Sequence, residues 1–273
     1  MTHPTPAWFD AQYNNRARIP EHPAILKHWA DASLAAYARP GWACDLAYGA
    51  NASERVDVLP ATRSGSPVLV YIHGGYWRAL DKRDQSFVAP PFVDAGAMVV
   101  LANYALCPAV GIDHIVAQLA SALAWVERHA AEYGGDPARI VAAGHSAGGH
   151  LATMLLAQGI VKSALSISGL YELEPLRHAP FLADDIGLSE ASARALSPAT
   201  MPRPRGTLVT VVGGDESEEF LRQADLIAQA WGPEVVIAAE RIPQRNHMDV
   251  LNGLAQPDSP THLRGLQLLG LRP

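Results

Sequence analysis

Apolar runs of strand length alternate with amphipathic stretches of helical spacing along this 273-residue chain. That alternation predicts an α/β fold with a mostly parallel central sheet and helices on both of its faces. Two further observations support the class. Pro67 to Ile72 and Met98 to Ala102 are continuously apolar, as strands buried on both sides must be. A glycine-rich turn, Gly144-His145-Ser146-Ala147-Gly148, joins the run Arg139 to Ala142 to a stretch where Leu151, Met154 and Leu155 recur at helical spacing.

Composition narrows the classes of function. A hydrophobic content of 49% is ample for a core, and 18% charged residues are too few for a disordered chain. The formal charge of −6, without any long Lys/Arg cluster, offers no face for nucleic acid. No apolar run approaches the length of a membrane span, and the first twenty residues are polar, without an apolar signal core. Cys44 and Cys107 lie far apart, without metal-ligand spacing, and read as ordinary thiols. The expectation is a soluble cytoplasmic protein that meets a small-molecule substrate, with no nucleic-acid or membrane partner. A homodimer is compatible with this composition.

Taken in order, Ala7 to Ile19 reads as irregular and polar. A helix follows from Ala24 to Ala38, with Ile25, Trp29, Leu34 and Tyr37 as its large apolar residues and Pro40-Gly41 as its stop. This segment, residues 20–40, is a flank of the sheet or a cap element, and the flank is the simpler reading. Asp45 to Tyr48 and Glu54 to Leu59 are two short strands about a turn. In the second, Arg55 and Asp57 alternate with Val56 and Val58, as on a strand with one wet face. Ile112 to Tyr133 is a long helix closed by Gly134-Gly135. Later strands fall at Ser163 to Ser168, Thr207 to Val212 and Val235 to Ala239, and later helices at Phe220 to Trp231 and His262 to Leu271. Between Glu172 and Pro204 the periodicity fades. Such an excursion between sheet strands is more often functional than idle, and residues 172–204 read as a small cap. No repeat or boundary divides residues 1–273, so a single domain is expected.

The chemistry centres on Ser146. Gly-x-Ser-x-Gly between a strand and a helix is a nucleophile elbow, and the helix N-terminus beneath it favours developing negative charge. An acid after a later strand and His247 after the last one give the order Ser, acid, His expected of an α/β-hydrolase. His247 would take the serine's proton and later give it to the leaving group, held in the right tautomer by the carboxylate. Asp215 and Glu216 are adjacent, so only one can face the imidazole. The strand–Gly–x–x–acid spacing selects Glu216, with Asp215 as the competitor. His73-Gly74-Gly75 follows a buried strand, and the N–H groups of Gly74 and Gly75, beside that of Ala147, would form an oxyanion hole. His145 and His150 read as structural. No metal-ligand spacing and no dinucleotide loop is present, so neither a metal nor an organic cofactor is expected.

On these residues the chain resembles α/β-hydrolases of the hormone-sensitive-lipase-like group, and within it the kynurenine formamidases (arylformamidases). The resemblance rests on His73-Gly74-Gly75-Tyr76-Trp77, Tyr13-Asn14-Asn15-Arg16, Ser168-Gly169-Leu170-Tyr171, Glu216 to Phe220 with Arg222-Gln223, and Asn246-His247. It runs from about Gln12 to His247, and it aligns Glu216 with the family's acid, usually aspartate. It implies hydrolysis of N-formyl-L-kynurenine to formate and L-kynurenine, a step of tryptophan breakdown, through a formyl-serine and without a cofactor. Tyr76 and Trp77 would wall the substrate's ring, Trp77 being equally readable as core. The alternative is a carboxylesterase for short acyl esters. A non-catalytic ligand-binding protein on this scaffold ranks last, because Ser146 and His247 are both present.

Overall fold

The computed structural model describes residues 4–272. Three helices precede the sheet: α1 (Pro6–Tyr13), α2 (Asn15–Arg18) and α3 (His22–Tyr37). The first two occupy the stretch expected to be irregular, and local capping explains the difference. The Thr5 side chain caps α1 with Pro6 in its first turn, and the Asn14 side chain accepts from Ala17 N–H to start α2. Neither helix carries an apolar stripe. They are tied down instead by Tyr13, fully buried, whose hydroxyl donates to Glu219 Oε2 at 2.6 Å.

The strands are β1 (Ala43–Ala47), β2 (Arg55–Leu59), β3 (Ser66–Ile72), β4 (Met98–Ala102), β5 (Gly135–His145), β6 (Ser163–Ile167), β7 (Thr207–Gly213) and β8 (Val236–Ile242). They form one sheet in the order β1-β2-β4-β3-β5-β6-β7-β8. β2 runs antiparallel to β1 and β4, and every pair from β4 to β8 is parallel. Strand β5 starts earlier than the apolar run suggested, because its polar first half still pairs with β3 through Ser66 and Gly135. The last strand likewise extends past Ala239 to Ile242.

The helices between and after the strands are α4 (Ala89–Asp94), α5 (Ile112–His129), α6 (Ala147–Ala157), α7 (Ala183–Ile186), α8 (Glu190–Ala195), α9 (Glu218–Trp231) and, past β8, α10 (Pro260–Leu269). α5 stops at His129; residues 130–133 tighten into a 3₁₀ turn that ends at Gly134, where φ is +82°. Period-two alternation sorts the core into two layers. Val68, Val70 and Ile72 of β3 pack with Leu119, Leu151 and Ile227, whereas Leu69 and Tyr71 pack with Trp29, Phe92 and Leu266.

Burying an apolar side chain of this kind stabilises by about 1.5–3 kcal/mol, and a charge in its place needs partners. Asp57 is the test. It is fully buried, not on the wet face that the alternation suggested. Tyr37 OH and the Asp45 N–H both donate to its carboxylate, the latter at 2.6 Å, and Lys82 Nζ stands 3.4 Å away. Residues 172–204 hold α7, α8 and short 3₁₀ turns, and they bury Leu173, Leu176, Leu182 and Ala193 without a helical stripe. Cys44 and Cys107 are unpaired. Among the described residues, no helix is long and apolar enough to cross a membrane.

Candidate active site

Parallel strands end at one edge of the sheet, and open α/β sheets bind ligands outside that carboxyl edge. β5 turns into α6 there through Ser146, at φ 57° and ψ −118°. Backbone strain of this kind costs about 1–3 kcal/mol and is held only by its surroundings. Glycine is obligatory on both sides. A Cβ on Gly144 would lie 2.3 Å from the Gly148 carbonyl, and one on Gly148 would lie 2.0 Å from Ile72 O. Ser146 N–H donates to Ile167 O at 2.8 Å, which fixes the turn against β6.

The Ser146 hydroxyl lies 3.0 Å from His247 Nε2, and His247 Nδ1 lies 2.7 Å from Glu216 Oε2. The carboxylate can only accept from Nδ1–H, which leaves Nε2 free to accept the serine's proton. All three side chains are buried, the serine 3% exposed at its opening to the cavity. Glu216 reaches back toward its own strand: its Oε1 accepts from Gly213 N–H at 2.7 Å and from Ser168 Oγ. Asp215 faces solvent, with its N–H donating to Arg245 O at 3.0 Å. The one-methylene-longer acid is therefore the one beside the imidazole. Ser168, quoted above only within a motif, is a holder of that acid.

Two further histidines brace the turn. His145 Nε2–H donates to the His247 carbonyl at 2.7 Å, and burial, reinforced by neighbouring His247, pushes its pKa down to about 3. His150 Nε2–H donates to Leu196 O at 2.8 Å, and burial pushes its pKa down to about 4. Both are neutral struts at ordinary pH, one holding the His247 backbone and one tying α6 to the 172–204 excursion.

The turn after β3 holds the other expected residues, and two of those expectations need correction. Gly75 has φ +108°, and a Cβ there would lie 2.1 Å from Ala79 O, so only glycine fits. Its neighbour Gly74 is not a free donor. Its N–H points to Gln85 Oε1 at 3.2 Å. The N–H groups of Gly75, Tyr76 and Ala147 have no hydrogen-bond partner among the described residues. Trp77 does not wall the cavity either. It is fully buried, its ring edge-on to His150 at 5.1 Å, because the positive φ of Tyr76 and Trp77 turns one ring outward and the other into the core. Gln85 went unread in the sequence, where it is one polar residue in a polar run. Fully buried, it also accepts from Tyr71 OH at 2.7 Å and so pins the loop to β3.

Above Ser146 and His247 lies a cavity of about 140 Å³. Its aromatic wall is Trp29, Tyr76 and Phe181, and Asn14, Asn15, Arg16 and Leu26 close it from the N-terminal segment. α3 is thus part of the site and not a mere flank. The 172–204 excursion contributes Phe181 alone to the lining. Among the described residues, no group of three or more His, Cys, Asp or Glu side chains could hold a metal ion.

Comparison with known proteins shows what this geometry is similar to. The BD-FAE family model matches residues 57–168, which include the His-Gly-Gly turn and the elbow. The kynurenine formamidase of Danio rerio is 28% identical over 226 residues, 77% of this chain and 76% of that one. A crystal structure from Silicibacter sp. TM1040 superposes with a TM-score of 0.82 at 28% identity, covering 92% of this chain and 96% of the other. The chain is an α/β-hydrolase. Within that fold it is a serine hydrolase, and it is similar to the kynurenine formamidases. The carboxylesterase NlhH of Mycobacterium tuberculosis is 44% identical over 107 residues, but this covers 37% of the present chain and 32% of that enzyme.

Proposed function

We propose that this α/β-hydrolase is an arylformamidase, cleaving N-formyl-L-kynurenine to formate and L-kynurenine. The observation that carries the reading is the small aromatic-walled cavity over Ser146. At about 140 Å³ it matches the roughly 150 Å³ of a cavity that accepts one benzene ring. A single aryl leaving group with a minimal acyl group suits it, and a long acyl chain would overpack it. The similarity to kynurenine formamidases over three-quarters of the chain supports the same substrate.

Each residue then has a role. Ser146 Oγ attacks the formyl carbon while its proton passes to His247 Nε2, and Glu216 steadies the imidazolium. Negative charge builds on the former carbonyl oxygen and meets the N–H groups of Gly75 and Ala147, with the N-terminus of α6 behind them. The tetrahedral adduct collapses, the C–N bond breaks, and His247 protonates the departing arylamine. Water, deprotonated by His247, attacks the formyl-serine. Formate leaves and the proton returns to Ser146. The aniline nitrogen shares its lone pair with the ring, so it departs more readily than an alkylamine.

A second reading, a carboxylesterase for short acyl esters, draws on the likeness to NlhH over 107 residues. The same residues would run that reaction unchanged. Steady-state kcat/KM for N-formyl-L-kynurenine, p-nitrophenyl acetate and p-nitrophenyl butyrate, with Ser146→Ala as control, separates the two. A preference for the formamide by about 10²-fold or more supports the arylformamidase; brisk ester cleavage with negligible formamide turnover replaces it with the esterase.

A further inference from the structure

The lining of the cavity has a charge pattern that the reaction itself does not need. Two guanidinium groups, Arg16 and Arg78, stand on its wall, and no carboxylate lines it. The chain as a whole carries a formal charge of −6, so this is a local reversal of sign. The two arginines differ in their commitments. Arg78 is neutralised by Asp185, donates to Phe181 O at 2.8 Å and lies over the Phe181 ring. Arg16 has neither an ion-pair nor a hydrogen-bond partner among the described residues.

Its backbone is nevertheless well held. α2 begins at a side-chain cap from Asn14, and Asn15, on the same turn, is buried and donates to Tyr76 OH at 3.4 Å. Tyr76 OH in turn donates to Tyr13 O. A fixed turn thus presents an unpaired guanidinium at the aromatic-walled cavity, whose other guanidinium is neutralised by Asp185. A guanidinium in such a place recognises a carboxylate by two parallel charge-assisted hydrogen bonds.

We propose that Arg16 is a specificity-determining residue that binds a carboxylate carried on the leaving-group side of the substrate, so that the enzyme selects aryl substrates that carry this carboxylate over those that lack it. For a formamide substrate this rests on the arylformamidase reading; for the choice of carboxylate-bearing leaving groups it does not. Because the side chain is exposed at the rim, solvent screens it, and the selectivity it supplies is about tenfold.

The test compares matched pairs within each variant. One pair is N-formyl-L-kynurenine and its primary amide, which keeps the amino group; the other is 3-(2-acetoxyphenyl)propanoate and its primary amide. Wild type is expected to favour the carboxylate-bearing member of each pair by about tenfold in kcat/KM, chiefly through KM, and less so as salt is raised. In Arg16→Gln the ratio falls to about one, and Arg16→Lys, which keeps the charge without the planar fork, falls between. Taking each ratio within one variant cancels any loss of folded protein. A wild-type ratio of one, or a ratio that Arg16→Gln leaves untouched, overturns the proposal. A ratio that holds for the ester pair while the formamides are not turned over keeps Arg16 in this role and removes the arylformamidase reading instead.

Discussion

The floor and the roof of the cavity are built in different ways. On the floor, Ser146, Glu216 and His247 each sit within a few residues of a strand's carboxyl end, and each backbone is locked by the sheet or by a strut such as His145. The roof comes from residues 5–37 and Phe181, segments with no strand, and it is attached through side chains. Tyr13 to Glu219, Tyr37 to Asp57 and Trp29 Nε1 to Asn252 Oδ1 at 2.8 Å are among its long-range bonds. Rate and selectivity therefore reside in different parts of the molecule. Chemistry needs atoms fixed to within a fraction of an ångström, which strand tips supply. Substrate choice needs only shape and charge at the entrance, which a cover held by side chains and not by strand pairing can supply.

The largest effect should come from the floor. Glu216→Gln keeps the shape but removes the charge that steadies the imidazolium, and kcat should fall about 10³–10⁴-fold for formamide and ester alike. Asp215→Asn, on the neighbouring exposed residue, should stay within about twofold. Steady-state kinetics of the two variants decides the matter. Equal losses, or a loss confined to Asp215→Asn, would break the idea that the floor acts on every substrate through Glu216.

A smaller and more selective effect belongs to the roof. Phe181 packs edge-on to Tyr76, with centroids 5.5 Å apart, and it is the only lining residue from the 172–204 excursion. An aromatic contact of this kind contributes about 0.5–1.5 kcal/mol, so Phe181→Ala should lower kcat/KM for aryl formamides roughly three- to tenfold relative to methyl formate, which has no ring. A uniform loss across both substrates would mean that Phe181 supports the floor, and the division between the two regions would fail.

The same division explains what could be read from the sequence. Sheet and elbow are legible because buried strands are apolar runs and because strained turns admit few residues; Gly144 and Gly148 have no alternative at their positions. Glu216 follows from spacing for the same reason, since Gly213 N–H must meet its side chain three residues on. Gln85 was not legible. Its role depends on Tyr71 and Gly74, which are distant in sequence, and no periodicity marks a single buried amide. The roof helices α1 and α2 were missed because they are stabilised by caps and one buried tyrosine, not by an amphipathic stripe. Trp77 and Tyr76 are neighbours whose fates were set by backbone φ, which a residue's identity does not reveal.

The smallest effect at neutral pH, and the one that sharpens the comparison last, is on acid stability. His145 and His150 brace the floor, buried and neutral, with pKa values pushed below the ordinary 6.5 to about 3 and about 4. In the unfolded chain both titrate normally, so between pH 6.5 and 4 the unfolded state binds protons that the folded floor refuses. Stability from these two residues is therefore complete above pH 6.5 and is lost progressively as pH falls through that window. Each contributes roughly a tenfold rise in the unfolding constant per pH unit once the unfolded form is fully protonated. His150→Gln keeps a donor for Leu196 O but cannot titrate, so urea unfolding between pH 6.5 and 4.5 should show a slope shallower by one proton, with little change at pH 7.5. An unaltered slope in His150→Gln would mean that the floor takes up protons as readily as the unfolded chain, and that its rigidity does not extend to the elbow helix.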